Sequence, residues 1–365
     1  MSKESITQKQ SIVMMITYML GSSMVLGAGS EAKQDVWLAL LIAMLMSVPV
    51  MYIYIRFHVI YPDKSLYEIL NTVFGRILGK IVAIPFIWFA FHLGALVLRN
   101  FLEYIKIVSM TKTPMFAFAI VMIISSIYGV RAGVEVIGRW TSIILPFLML
   151  SVLIVTVFLS PLFDFGNLKP VLYNGFKPIL YNAISALAFP FAETVIFTAV
   201  LDKIRDKRSL YKIYYVSLIF SGIVLIIISL RSILTLGAEN VGNMYFASYA
   251  AVGLIDIGDF LERIEVSVTV VFLFGGYVKN SICLYAASTG IANVLNIDNY
   301  RQIVAPVGML MLVFSLIIYN NTMEMFEWAN KIYKYYAIPF EVVLPLIVLI
   351  VAEIKIRLTK KKKRA

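Results

Sequence analysis

The chain has 365 residues, of which 61% are hydrophobic and 15% charged, with a formal net charge of +11. Because about a quarter of the residues in a typical soluble domain are charged, this composition excludes a soluble domain and predicts an integral membrane protein. With one cysteine and two histidines, the chain gives no basis for a disulfide framework or for a Cys- or His-ligated metal. The positive charge lies in short loops and a tail beside apolar segments, which indicates membrane topology and not a nucleic-acid partner.

The apolar residues form ten segments, which we interpret as membrane-spanning helices. These spans, numbered one to ten, cover residues 12–28, 36–55, 78–108, 115–128, 140–159, 179–200, 213–236, 262–287, 303–319 and 338–356. We therefore predict an all-α integral membrane protein in which residues 1–365 form one polytopic domain. Before span three, Ser65 and Glu68 have capping-box spacing and predict a short amphipathic helix.

Span one contains three consecutive small residues, Gly21, Ser22 and Ser23, which weaken a helix near its middle. One interpretation is a broken helix, in which exposed backbone N–H groups of Ser22, Ser23 and Met24 hold a ligand carboxylate at a half-helix N-terminus. The other is close packing of small residues against a neighbouring helix. The sequence leaves both open.

Span three carries a stripe of polar residues. His92, Arg99, Glu103 and Lys106 follow one another at steps of seven, four and three, which puts them on one face of a helix. Arg99 and Glu103 are spaced to pair with each other. The alternative is a hydrated pathway through the bundle, lined by His92, Arg99 and Glu103.

Span six contains Pro190 and Glu193 near its centre. Pro190 frees a backbone carbonyl where lipid offers no partner, and a carboxylate at this depth costs roughly 2.5–3.5 kcal/mol on insertion scales. Either the helix is only kinked, with Glu193 paired to a cation, or it is broken and lines a ligand cavity near the membrane midplane. In the second case, carbonyls near Phe189 and Pro190, together with Glu193, hold an ammonium group.

Span eight carries Lys279 in its interior. A buried lysine needs an anion, and Glu103 and Glu193 are the interior carboxylates that we propose as its partners. Tyr277, two residues earlier, is predicted to help form the wall of the ligand pocket together with Tyr18 and Phe189.

Breaks in spans one and six predict two inverted halves of five spans each, at about residues 10–160 and 178–357, followed by a basic tail at 358–365. Lysine and arginine are much more frequent in the loops on the side of the N-terminus than in those on the other side. Both termini are therefore predicted to be cytoplasmic, with the basic tail against anionic lipid.

Five elements in this order resemble the B subunit of bacterial spore germinant receptors, an endospore germination permease of the amino acid–polyamine–organocation superfamily. The resemblance covers nearly the whole chain and rests on Met19-Leu20-Gly21-Ser22-Ser23, Tyr61-Pro62 with Ser65-Leu66 and Glu68, Asn167-Leu168-Lys169-Pro170-Val171-Leu172, Glu193, and Glu262-Arg263 with Glu265.

The resemblance implies a leucine-transporter-like fold, residence in the spore inner membrane, and nutrient sensing together with an A subunit and a lipoprotein C subunit. Family ligands include amino acids, and some receptors respond to sugars or ions. Glu103 matches a polar span-three carboxylate of the family. The chain departs from the family pattern at Ser23, where a glycine is usual, and at Lys279, where a neutral polar residue is frequent.

Two functions follow from these observations. The chain is either a germinant-binding receptor subunit or a proton-coupled transporter for an amino acid or related cation, and no nucleophile–base pair, metal cluster or phosphate loop favours an enzyme or a cofactor. The predicted ligand site comprises Gly21, Ser22, Ser23, Met24, Phe189, Pro190, Glu193, Tyr277 and Lys279.

Overall fold

The computed structural model describes residues 4–108, 112–204, 206–255 and 265–362, and these residues are almost entirely helical. A single bridge between Ile6 and Ile204 is the one strand-like pairing among them. Glu262 and Arg263, which belong to a predicted motif, and the end of the basic tail lie outside these ranges.

The described residues form fifteen α-helices joined by short 3-10 and π segments. The α-helices are α1 (Gln8–Leu26), α2 (Val36–Ile60), α3 (Leu66–Phe74), α4 (Arg76–Val108), α5 (Met115–Ala132), α6 (Val134–Leu159), α7 (Phe176–Ala186), α8 (Leu210–Leu236), α9 (Ala238–Asn243), α10 (Ala247–Val252), α11 (Glu265–Leu295), α12 (Val304–Ile317), α13 (Thr322–Glu327), α14 (Tyr333–Ile338) and α15 (Leu344–Lys362). Ser65 and Glu68 form the predicted capping box at the start of α3.

Eight helical segments in these ranges are long and apolar enough to cross a membrane. They are Ser30–Ile60, Arg76–Val108, Met115–Ala132, Val134–Leu162, Phe176–Ala199, Leu210–Leu236, Val268–Leu295 and Thr322–Thr359. Together with α1 and the shorter apolar helix α12, they account for the ten predicted spans.

The last span begins much earlier than residue 338, where the sequence placed its start. Its helical run starts at Thr322, because the side chain of Asn321 accepts a hydrogen bond from the Glu324 N–H and caps the helix there. The run is not a regular α-helix, since π segments at Trp328–Ile332 and Pro339–Val343 interrupt it. This cap is the signal that the hydropathy pattern missed.

The predicted break at Gly21, Ser22 and Ser23 is wrong, because α1 is continuous through these residues. A Cβ atom on Gly21 would lie 2.8 Å from the Gly275 carbonyl oxygen, so glycine here permits the close crossing of α1 and α11. The helix instead ends at Leu26, where Gly27 adopts a left-handed conformation with φ 73°. Close packing was the right interpretation of the small residues.

The predicted break in span six is confirmed. α7 ends at Ala186, and the π segment Leu187–Phe191 contains Phe189 in an extended conformation with φ −126° and ψ 111°. Pro190 lacks an N–H and its ring clashes with the preceding turn, so the α-helix does not continue. The chain resumes as the 3-10 segment Ala192–Ala199, which carries Glu193.

The centre of the bundle is formed by α1 and α11, which cross each other and are flanked by α4, α6 and α8. Every residue from Met14 to Val25 on α1, and from Val278 to Ser288 on α11, is buried. Helices buried on all sides meet protein and not lipid, so α1 tolerates its polar residues.

Loops predicted to share a side of the membrane also meet in the structure. At one end, the Ile6 N–H donates to the Lys203 carbonyl at 3.0 Å, and Glu4 pairs with Arg301. At the other end, the Leu172 N–H donates to the Asp35 carboxylate at 3.1 Å. Successive loops therefore lie alternately at the two ends of the bundle, as ten spans require. The cytoplasmic position of the end that contains the N-terminus stays a prediction from charge.

Candidate functional site

A fully buried ion pair lies where helix six is broken. Lys279, from the middle of α11, donates to Oε2 of Glu193, which lies about one turn beyond Pro190. Both residues are 0% exposed. Of the two carboxylates proposed as partners for Lys279, the structure therefore pairs it with Glu193.

The Lys279 ammonium group has further contacts on both sides. Its Nζ donates to the Ser22 hydroxyl of α1 at 3.0 Å. The same nitrogen lies 4.8 Å from the centroid of the Phe189 ring and 5.2 Å from that of Tyr18. The aromatic faces attract the cation, so its position is set by α1 and the break in helix six as well as by Glu193.

Glu193 is held by two tyrosines. The Tyr333 hydroxyl of α14 donates to Oε1 at 2.6 Å, and the Tyr18 hydroxyl donates to the Glu193 backbone carbonyl at 3.3 Å. Each carboxylate oxygen therefore has a donor, as a buried charge requires. Tyr333 was not predicted, because it precedes the apolar stretch assigned to span ten.

A small cavity of about 40 Å³ adjoins the pair. Its lining includes Ser22, Phe189, Glu193, Lys279 and Tyr333. A space of this size holds a water molecule or two and is closed to a larger ligand in this conformation. Its remaining walls come from α1, α4, Tyr319 and the π segment near Trp328.

A larger cavity of about 170 Å³ lies next to the first, at the end of α1. Leu26 lines both cavities. The larger one is also bounded by α8, by the 241–248 region and by Phe326 and Asn330. Among the described residues that line it, Glu31 is the one with a charged side chain, so the chemistry of the pair belongs to the smaller cavity.

Several predicted ligand-site residues have other surroundings. The backbone N–H groups of Ser22, Ser23 and Met24 lie inside a continuous helix, where the carbonyls of the preceding turn use them, so they do not form the predicted anion site. The Ser23 hydroxyl donates to the Met19 carbonyl at 2.5 Å. Tyr277 lies against Gly129 of α5 and lines an apolar groove away from the pair.

The polar stripe on α4 is divided into two environments. Arg99 and Glu103 form a buried salt bridge at 2.9 Å. His92 instead stacks on Trp88 with ring centroids 5.3 Å apart, and packs against Phe314 and Tyr336. An aromatic cluster therefore surrounds His92, and the hydrated pathway stays a prediction.

Arg99 also fastens α4 to the end of α12. Its Nη1 donates to the Ser315 and Leu316 carbonyls at 3.1 and 2.8 Å, and its Nη2 donates to the Tyr319 carbonyl at 2.6 Å. Thr322 donates to the second oxygen of Glu103 at 2.7 Å. The Ser315 and Leu316 carbonyls lie in the last turn of α12, where a helix leaves carbonyls without intrahelical donors, so the guanidinium acts as a cap.

In the described part of the chain, no three His, Cys, Asp or Glu side chains are grouped to hold a metal ion. Cys283 is free and buried beside the Tyr18 hydroxyl, with its sulfur 3.8 Å from that oxygen.

Residues 5–323 match the sequence profile of a family described as spore germination protein. The chain is 29% identical to spore germination protein KB of Bacillus subtilis (strain 168) over 368 residues, which cover 100% of this chain and 97% of that protein. It is 24% identical to spore germination protein A2 of the same organism, over 81% of this chain and 80% of the relative.

Among solved structures, the chain resembles two transporters. Mhp1, a nucleobase-cation-symport-1 family transporter with bromovinylhydantoin bound, aligns with a TM-score of 0.70 and 11% identity over 94% of this chain and 78% of the other. MhsT in complex with L-phenylalanine aligns with a TM-score of 0.66 and 11% identity over 96% and 99%. This likeness shows the fold alone, and it confirms the predicted leucine-transporter-like architecture.

Proposed function

The chain belongs to the spore germination protein family, and on that premise we propose that it is the nutrient-sensing membrane subunit of a spore germinant receptor. It is an integral membrane germination protein with a transporter fold. The finer proposal is that it resides in the spore inner membrane with both termini cytoplasmic, binds a small germinant at the membrane midplane, and acts with A and C subunits.

The observation that carries the ligand proposal is the Glu193–Lys279 pair beside a cavity. Separating a buried ion pair leaves two uncompensated charges, so any ligand that enters between them must replace both partners. A zwitterionic amino acid does so, with its carboxylate on Lys279 and the Ser22 hydroxyl and its ammonium group on Glu193 and the Phe189 ring. The lysine therefore takes the role first assigned to backbone N–H groups.

The two buried charges also predict which ligands the site selects. A ligand with only a carboxylate leaves Glu193 without a cation, and a ligand with only an ammonium group leaves Lys279 without an anion. A buried polar site rejects analogues that leave its groups unpaired far more strongly than an apolar pocket rejects a missing methylene. We therefore expect discrimination against amino acid amides and N-acetyl amino acids.

Signalling then requires two conformations with different affinity for the germinant. The cavity beside the pair is too small for an amino acid, so we assign the described conformation to the resting state. The larger cavity beyond Leu26 is the route by which a germinant reaches the pair. Widening the small cavity is the change that an A or C subunit would detect.

A thermal-shift screen of the purified full-length protein tests the ligand class. We expect a free amino acid to raise the unfolding temperature. At a concentration of 100 times Kd, it should stabilise the folded protein by about 2.7 kcal/mol. Its amide and its N-acetyl derivative, at the same concentration, should have little effect. Equal stabilisation by the amide, or stabilisation by sugars alone, would contradict a zwitterion site.

The runner-up function is a proton-coupled amino acid transporter. The likeness to transporters in fold favours it, since a midplane cavity between two broken or crossing helices serves transport as well as sensing. Uptake into proteoliposomes that contain only this chain separates the two. We expect binding without concentrative uptake under an imposed proton gradient, and uptake that follows the gradient would favour the transporter.

Co-purification tests the proposed partners. An affinity tag on this chain, expressed at its native level, should recover an A subunit and a lipoprotein C subunit from the inner membrane fraction of dormant spores. Recovery of the chain without either subunit would contradict the receptor proposal and leave the ligand proposal intact.

A further inference from the structure

A second buried carboxylate lies beside the Glu193–Lys279 pair. Glu341 belongs to the π segment Pro339–Val343 of the last span and is 0% exposed. The Tyr54 hydroxyl of α2 lies 2.6 Å from the Glu341 carbonyl oxygen and 3.0 Å from that of Ala192. The backbone of Glu341 is thereby tied to the segment that begins one residue before Glu193.

The side chain of Glu341 lacks the partners that the other interior carboxylates have. Within the ranges that the structure describes, neither of its carboxylate oxygens has a hydrogen-bond donor. Glu193 and Glu103, by contrast, each have donors on both oxygens. An ionised carboxylate without donors in an apolar interior is so costly that the group takes a proton instead.

The surroundings of Glu341 link its charge to the ion pair. Glu193 and Lys279 are close enough to interact electrostatically with it. Among the described residues, the phenols of Tyr18, Tyr54, Tyr333 and Tyr336 also interact electrostatically with Glu341. From α4, Phe89 stacks on Phe340, the residue before Glu341, with ring centroids 5.4 Å apart. The only charges that bias Glu341 among these described neighbours are thus the two members of the pair.

We propose that Glu341 is a proton-binding site, occupied in the resting protein, whose occupancy is linked to the Glu193–Lys279 pair. With Glu193 ionised, Lys279 positively charged and Glu341 protonated, the three groups carry no net charge. When Glu193 is uncharged, through protonation or substitution, Glu341 ionises: its O–H bond breaks, the proton passes to water, and Glu341 then neutralises Lys279 so that the group of three carries no net charge. Two interacting acids of this kind titrate as a coupled system.

Infrared spectroscopy of the full chain without any ligand tests the proton site on Glu341 independently of germinant binding. Glutamate labelled with ¹³C at the side-chain carboxyl identifies the carbonyl stretch of a protonated glutamic acid. We expect this band at neutral pH in the wild type and its loss in Glu341→Gln, a neutral isostere. Glu353→Gln, which changes a half-exposed glutamate bonded to Arg56, is the matched control and should retain the band.

The linkage is tested in the same spectra by two further variants. Glu193→Gln leaves Lys279 without its anion, so the Glu341 band should fall to a minor fraction of its wild-type intensity. Glu193→Gln combined with Lys279→Met removes both charges and should restore it. Absence of the band in the labelled wild type would overturn the proton site whether or not any variant folds, and an undiminished band in Glu193→Gln would overturn the linkage.

Discussion

Within the part of the chain that the structure describes, two buried ion pairs lie in the interior of the bundle, and they differ in what surrounds them. Arg99 and Glu103 are four residues apart on one helix, and every other hydrogen bond they make fastens that helix to the end of α12 and to Thr322. Glu193 and Lys279 come from different helices, and a cavity adjoins them.

The difference shows how to distinguish a structural pair from an exchangeable one. Neutralising both members of the first pair also removes the Arg99 donors of three backbone carbonyls at the end of α12. Neutralising both members of the second removes two charges that mainly satisfy each other. Buried ion pairs are weak contributors to net stability, but breaking one by removing a single partner costs about 3–5 kcal/mol. Double mutants therefore separate the two cases.

The largest effect is expected at Arg99. Arg99→Met leaves Glu103 unpaired and removes the donors of three carbonyls, so the free energy of unfolding should fall by about 5 kcal/mol or more. Adding Glu103→Gln should recover little, because the carbonyls of Ser315, Leu316 and Tyr319 remain without donors. Unfolding in mixed micelles measures both values. Near-complete recovery in the double mutant would show that the cap is unimportant.

The Glu193–Lys279 pair should respond in the opposite way, because its double mutant should recover stability. Lys279→Met should lower stability by about 3–5 kcal/mol, Glu193→Gln should lower it by less because an ionised Glu341 then offsets part of the Lys279 charge, and the double mutant should recover much of the loss. Protein abundance in spores should follow the same order. The double mutant should nevertheless fail to respond to germinant, because it retains neither charge that we propose to hold the ligand. Additive losses in the double mutant, or normal germination from Glu193→Gln spores at normal protein level, would contradict this assignment.

The sequence predicted the spans of the bundle well, because the lipid environment requires apolar residues along the whole length of each span. It also predicted the break at Pro190, since a missing N–H acts locally. It failed at Gly21, because whether a small residue weakens a helix or permits a close crossing depends on the helix opposite, here Gly275 of α11. Spacing alone did not reveal that contact.

The candidate site shows the same limit. Glu193 and Lys279 were found because charges are rare at this depth. Tyr333 and Glu341 were missed, although both approach the pair. Tyr333 lies in a polar stretch that hydropathy assigns to a loop, and Glu341 lies inside the predicted last span, buried in a π segment. The signal that was available is a carboxylate within an apolar run, the same signal that identified Glu193.

A matched pair of hydroxyls gives a smaller and sharper comparison. Tyr333 donates to Glu193 at 2.6 Å, and Thr322 donates to Glu103 at 2.7 Å. A hydrogen bond to a charged group contributes about 1.5–3 kcal/mol, so Tyr333→Phe and Thr322→Val should cost similar amounts of stability. Only Tyr333→Phe should weaken amino acid binding, as measured by the concentration dependence of the thermal shift. Equal weakening by Thr322→Val would show that the site extends to the Arg99 pair.

The smallest effects are expected at the two neighbouring serines of α1, which were predicted to share a role. The Ser22 hydroxyl accepts from Lys279 at 3.0 Å, whereas the Ser23 hydroxyl donates back to its own helix at 2.5 Å. Ser22→Ala should cost about 1 kcal/mol, because Lys279 keeps Glu193 as its partner, and Ser23→Ala should cost less, since such a back-bond slightly destabilises a helix. Both residues are buried and one position apart, so each controls for the other. If Lys279 and Ser22 hold the ligand carboxylate together, Ser22→Ala raises the half-maximal amino acid concentration in the thermal shift and Ser23→Ala leaves it unchanged. If Ser23→Ala raised the half-maximal concentration and Ser22→Ala left it unchanged, the ligand carboxylate would be assigned to the backbone around Ser23 instead.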